Sequence, residues 1–236
     1  MSTATDPVPA PPPLGVARLL LVGSGSTAAA DLPFWGDWLR YAYPGLTVRA
    51  VVTRSAERFV TREALAGRFG GGALLDVWPD EATPSARHVE LATWAQAIVV
   101  YPATFGFLAR LALGLADSPA LLAAQCTDVP IGVAPALPPG ATTAVPYRSH
   151  LAALEARPNV VVGAPVLARS QTTGRPGAWA PLPLHRLLAL VEARRVLLAG
   201  EGGNGEGNDR QAEDRTVHGD DAAGDGPPAR GANHAH

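Results

Sequence analysis

Lysine is absent, and all 19 basic residues are arginine. That excludes a Schiff-base lysine and a phosphate-binding loop of the GxxxxGKS type. Cysteine occurs once, at Cys126, so an intramolecular disulfide and a cysteine-rich zinc site are both excluded. The N-terminus, MSTATDPVPAPPPLG, lacks the basic n-region of a secretory signal, and a reducing cytoplasm is the expected location. No apolar run reaches the length of a membrane span, so no membrane partner is expected. Excess positive charge is missing too. A formal net charge of -2 argues against nucleic acid as a partner.

Large apolar residues are scarce at both ends of the chain. Residues 1–15 read as a Pro-rich, poorly ordered arm. Residues 200–236 read as a disordered polar tail, unable to bury enough surface to offset its ordering entropy. Its His-Ala-His ending reads as a solvated terminus, and no metal site is expected.

Residues 16–199 remain as one domain, and here strand and helix signals alternate. Apolar runs suited to buried parallel strands are Arg18–Val22, Val48–Thr53, Ala97–Tyr101, Ile131–Ala134 and Val160–Val162, with a weaker one at Ala73–Val77. Helical patterns fall between them at Ala28–Tyr43, Ala56–Ala66, His88–Trp94, Phe105–Leu115, Ala120–Cys126 and Tyr147–Ala156, and a last one follows at Leu184–Leu198. Such an alternation implies a three-layer α/β fold, Rossmann-like or flavodoxin-like, with helices on both faces of a parallel sheet. Ligands of these sheets bind beyond the C-terminal ends of the strands.

The loops at those ends carry the candidate chemistry. Gly23-Ser24-Gly25-Ser26-Thr27 follows the first strand, where glycines let backbone approach an anion. The acidic residue that would bind a ribose diol is missing after the second strand. Thr53-Arg54-Ser55 stands there instead, which suits a phosphate. The third loop is Pro102-Ala103-Thr104-Phe105-Gly106, where Thr104 could bond a ligand carbonyl or ribityl hydroxyl and Phe105 could pack on a ring. His88 precedes Pro102 by fourteen residues, and its helix is expected to lead back beside that loop.

The order of these loops resembles the homo-oligomeric flavin-containing cysteine decarboxylases, over about residues 16 to 165. That family includes lanthipeptide peptidyl-cysteine decarboxylases and phosphopantothenoylcysteine decarboxylase. The matching features are the Ser/Thr-rich first loop and Thr53-Arg54-Ser55-Ala56-Glu57-Arg58-Phe59, in the pattern T-x-x-A-x-x-F. To these are added His88 and a PASANT-like Pro102–Phe107. The resemblance implies FMN held by Gly23, Ser24, Gly25, Ser26, Thr53, Ser55, Phe59, Pro102, Ala103, Thr104 and Phe105. It implies His88 as the acid–base residue, because histidine exchanges protons near neutrality. It also implies a homo-oligomer, a trimer or a multiple of one, with the flavin near a subunit boundary.

There are departures from the pattern. Gly106 replaces the fifth-position asparagine of PASANT. The family's substrate clamp, P-x-M-N-x-x-M-W, corresponds to Pro135-Ala136-Leu137-Pro138-Pro139-Gly140-Ala141-Thr142. Pro135 fits and Leu137 is a conservative change, but Pro138 has neither a side-chain donor nor an N–H. Arg148, just beyond, either takes over the substrate carboxylate from the absent asparagine or is a solvated residue opening the helix Tyr147–Ala156. The reducing cysteine of the coenzyme A branch has no counterpart among Gln171–Pro181, which leaves the peptide-modifying branch.

The implied reaction is FMN-dependent oxidative decarboxylation of a C-terminal peptidyl cysteine to an enethiol, during biosynthesis of a ribosomal peptide natural product. The implied partners are a cysteine-terminated precursor peptide and other peptide-modifying enzymes. A catalytically altered FMN-binding scaffold subunit is the alternative, favoured by the missing asparagines and opposed by His88. A flavin prenyltransferase would be expected to use a lysine. An NADP-dependent reductase would leave His88 without a role.

Overall fold

In the computed structural model of the chain, the described residues are 10–70, 72–81, 84–170 and 173–213, with side chains as far as Glu201. The six apolar runs form strands β1 (Arg18–Gly23), β2 (Thr47–Val52), β3 (Ala73–Leu75), β4 (Ala97–Thr104), β5 (Ile131–Ala136) and β6 (Val160–Val162). They make one parallel sheet in the order β3-β2-β1-β4-β5-β6.

Alternate side chains of each strand point to opposite faces, and both faces are buried. Leu19, Leu21, Ala50, Val52, Val99 and Tyr101 face one layer, which contains α1 (Leu32–Ala42), α2 (Arg62–Ala66) and α7 (Leu184–Glu213). Leu20, Val22, Val51, Ile98, Val100 and Val133 face the other, formed by α3 (Arg87–Trp94), α4 (Phe105–Ala112), α5 (Pro119–Gln125) and α6 (Val145–Glu155). The stripe Leu184, Leu187, Leu188 and Val191 seats α7 on β5, where Gly132 leaves no room for a Cβ beneath Val191.

Two expected helices are interrupted. The run from Ala28 begins as a 3₁₀ turn, Thr27–Asp31, and α1 restarts at Leu32 with a proline in its first turn. The run from Ala56 is a 3₁₀ turn, Ala56–Arg58, followed by α2, whose own cap is the Thr61 hydroxyl accepting from the Ala64 N–H at 3.2 Å.

Sequence periodicity also missed an antiparallel hairpin, β7 (Val166–Arg169) with β8 (Pro176–Ala180). Reciprocal backbone bonds between Leu137 and Trp179, at 2.9 and 3.0 Å, join the hairpin to the segment after β5.

The chain divides into two units after Leu198. The backbone helix of α7 continues to Glu213, past the expected start of the polar tail. The rest of the tail, residues 214–236, lies outside the described residues, as do residues 1–9 of the arm. Within the described arm, Pro12 O accepts from the Tyr43 hydroxyl at 2.7 Å, and the Gly15 N–H donates to Glu192 Oε2 at 2.9 Å. No described helix is long and apolar enough to cross a membrane.

Candidate functional site

The order of the sheet reverses between β1 and β4, and there the loops after the two strands part to leave a crevice. Its floor is braced by Ser24. The Ser24 N–H and hydroxyl both donate to Pro102 O, at 3.0 and 2.8 Å, and the hydroxyl accepts from the Thr104 N–H at 2.7 Å. Ser24 is buried, so this hydroxyl joins two strand ends and does not face a ligand. The loop after β2 is tied in by the Thr53 N–H, which donates to Gly23 O at 2.9 Å. Thr53 Oγ1 lies 3.0 Å from Ser55 Oγ and accepts from the Ala56 N–H at 3.3 Å. Gly25 must be glycine because a Cβ there would overlap Ser55.

Above this floor lies a cavity of about 980 Å³. Gly25, Ser26, Thr27 and Ala28 line one side. Thr104, Phe105 and Gly106 open α4 on another side. Thr104 caps that helix by accepting from the Phe107 N–H at 3.3 Å, which leaves its own proton to donate into the cavity. The N–H groups of Phe105 and Gly106, which open α4, have no intrahelical partner, and both residues line the cavity. The Phe105 ring is backed by Tyr147 and His150, with centroids 6.3 and 6.2 Å away.

Tyr101 and Trp35 form an aromatic wall, edge to face at 6.0 Å. Burial pushes the Tyr101 phenol up to about 12, with nearby Asp31 adding to the rise and a hydrogen bond with Trp35 opposing it. Tyr101 is therefore a neutral donor at ordinary pH. Asp31 also lines the cavity, and its carboxyl is raised by desolvation. His185 stands behind Trp35 and Trp38, its pKa lowered by burial and by the Arg186 charge, with Nδ1 unpartnered. The far wall is Leu137, Pro138 and the hairpin, including Arg169 and Trp179.

Of the residues singled out from the sequence, Gly25, Ser26, Thr104, Phe105 and Leu137 line the cavity. Gly23, Ser24, Thr53, Pro102, Ala103 and Pro135 lie beneath it as structural supports, and Ser55 sits at the rim against Gly25. Phe59 does not line the cavity; it ends the 3₁₀ turn after β2 and is 39% exposed. Arg148 is also elsewhere: α6 starts at Val145, so Tyr147 points inward while Arg148 faces solvent.

His88 is not among the residues that line the cavity. It lies in the first turn of α3, a helix packed on α5, where its ring meets Trp78 edge to face at 5.6 Å. Trp78 is held by its indole N–H donating to Asp117 O at 3.1 Å, and His88 Nδ1 is buried without a partner.

Sequence reasoning missed Asp31, Trp35, Tyr101, Arg169 and Trp179. Tyr101 closes an apolar run and looks like core. The hairpin had one visible signal, the turn-forming Thr173-Gly174-Arg175-Pro176-Gly177.

The flavoprotein family profile matches residues 10–181, from the arm through the end of the hairpin. The chain belongs to the flavoprotein family. This flavoprotein is 37% identical to the cypemycin cysteine dehydrogenase (decarboxylating) of a Streptomyces species, over 61% of its own length and 74% of the relative's. The crystal structure of the cypemycin decarboxylase CypD superposes with a TM-score of 0.64 and 31% identity, covering 78% of this chain and 97% of that one. The FMN-dependent cysteine decarboxylase TvaF, from thioviridamide biosynthesis, gives a TM-score of 0.61 at 26% identity over 77% and 99%. This flavoprotein is also similar to bifunctional coenzyme A biosynthesis proteins, but spans only 43% of the length of the one from Vibrio vulnificus.

Proposed function

We propose that this flavoprotein is an FMN-dependent decarboxylase of peptides that end in cysteine, acting in the biosynthesis of a ribosomal peptide natural product. One observation carries the reading. The cavity at the β1/β4 crossing combines a hydroxyl-lined anion cradle with an aromatic wall, in a chain 37% identical to a cysteine-decarboxylating enzyme.

The residues present fit FMN. A phosphate suits Gly25, Ser26 and Ser55, where backbone approaches closely and hydroxyls donate. Phe105 and Trp35 offer flat apolar surface, and Thr104 offers a donor beside the free N–H groups of α4. A bound flavin would supply a hydride acceptor for the cysteine β-carbon, an oxidation that would let the carboxylate leave as CO₂. The chain's own part is to orient both partners, exclude water with the hairpin, and move a proton.

His88 is the proposed acid–base residue, supplied to the cavity by another copy of the chain. Two observations support a shared site. His88 does not line its own cavity, and apolar Trp78 and Val89 beside it are 42% and 49% exposed. A trimer, or a multiple of one, is the proposed assembly, with the cytoplasm as its location and other peptide-modifying enzymes as further partners.

The test is mass spectrometry of cysteine-terminated peptides incubated with the purified holoprotein. The expected product is lighter by about 46 Da, the sum of CO₂ and two hydrogens. Flavin binding without any such product would favour the scaffold alternative.

A further inference from the structure

We infer that Arg169, on the β7–β8 hairpin, anchors the C-terminal carboxylate of the substrate peptide, an inference that rests on the decarboxylase reading above. The asparagine position of the clamp is Pro138, which lines the cavity and can donate nothing there. A carboxylate entering a partly apolar cavity must find other donors, because an unpaired buried charge is strongly unfavourable.

Arg169 is the only cationic side chain among the described residues lining the cavity. One guanidinium N–H, at Nη1, donates to Gly174 O across the hairpin turn at 3.1 Å, which steadies the group. No ion pair of the described residues involves it. The rest of its planar fork is therefore available for a two-point bond to a carboxylate. The hairpin is fixed in place by the paired backbone bonds between Trp179 and Leu137, one residue before Pro138. The replacement donor thus stands on the same wall as the position that lost its donor.

The flavin phosphate is the other anion that could be drawn to this charge, and topology argues against it. The hydroxyl turns follow β1 and β2, on one side of the crossing, while the hairpin joins beyond β5, on the other. Arg169 thus orients the peptide, with its carboxylate toward the hairpin.

The experiment uses the holoprotein and two pools of N-acetylated hexapeptides, each randomised at five positions and ending in cysteine. One pool has free carboxylates and the other carboxamides. Retention on immobilised wild-type protein should favour the acid pool by about 10- to 100-fold, the scale of a charge-assisted hydrogen-bonded pair. Arg169→Gln should lose that preference and keep its flavin, and Arg169→Lys should recover part of it. Arg175→Gln removes the same charge from the same hairpin outside the cavity and should keep the preference. A lower flavin content in Arg169→Gln would assign the charge to the phosphate and overturn the inference. Equal retention of the two pools by wild type, including retention of neither, would also overturn it. The mass-loss assay reads the decarboxylase proposal separately, so a protein that forms product without acid preference fails only here.

Discussion

Ser24 and Thr104 stand eighty positions apart, yet the Thr104 N–H donates to the Ser24 hydroxyl at 2.7 Å. That bond closes the crossing between β1 and β4, and it fixes the residue that both caps α4 and lines the cavity.

Ser24→Ala leaves the half-buried Thr104 N–H without its acceptor and removes one of two donors to Pro102 O. The expected cost is about 1–3 kcal/mol of stability, seen as a lower urea midpoint at unchanged slope. Flavin affinity should fall with it, because Thr104 loses its support. A variant with wild-type stability and flavin content would show that the bridge is dispensable.

Gly25→Ala places a methyl group against Ser55 and forces the first two loops apart. The protein should purify with most of its yellow colour gone while keeping a cooperative thermal transition. The wild type should release FMN, not FAD, on denaturation, as one phosphate-sized cradle implies. Chromatography of the released flavin checks both statements.

His88→Asn should retain FMN and reduce product formation by about a hundred- to ten-thousand-fold, since asparagine can hold a hydrogen bond but cannot exchange a proton near neutrality. Mixing His88→Asn with a cavity-defective Gly25→Ala protein, under subunit exchange, should restore activity if cavity and histidine come from different copies. An inactive mixture with proven exchange would place both in one chain.

Tyr101 and Tyr43 are both raised to about 12, chiefly by burial. A folded-state pKa above the unfolded value of about 10 means their stabilising contribution is complete below pH 10. It is then lost as the pH rises toward 12. Burial raises Tyr147 as well, with the Glu155 charge adding to it, so three of the four tyrosines should ionise late in an alkaline absorbance titration, together with unfolding. Tyr101→Phe removes one such linkage, so its stability should fall less steeply across that interval. Early ionisation of all four would contradict the buried phenol.

The sequence by itself determined the sheet and the loops that matter. Strands buried on both faces must be continuous apolar runs; β1, β2, β5 and β6 could be read as such within one or two residues, and β4 within three at its C-terminal end. Gly23–Thr27, Thr53–Ser55 and Pro102–Gly106 were identifiable because ligands of such sheets bind beyond the C-terminal ends of the strands, where these loops fall. What only the tertiary structure decided was direction. Ser24 and Ser26 are equivalent as letters, yet one is buried in a backbone bridge and the other lines the cavity. Tyr101 ends an apolar run, and the pleat and the strand end together turn it toward Trp35 and the cavity. His88 is near Pro102 in sequence, but α3 packs on α5 and sets its first turn against Trp78. Arg169 could be read only as a surface charge until Trp179 paired with Leu137 across more than forty residues and brought the hairpin to the cavity wall. Composition and period report how much surface each segment must bury. Which atoms then share a cavity depends on register and on long-range backbone pairing, and local sequence does not encode either of these.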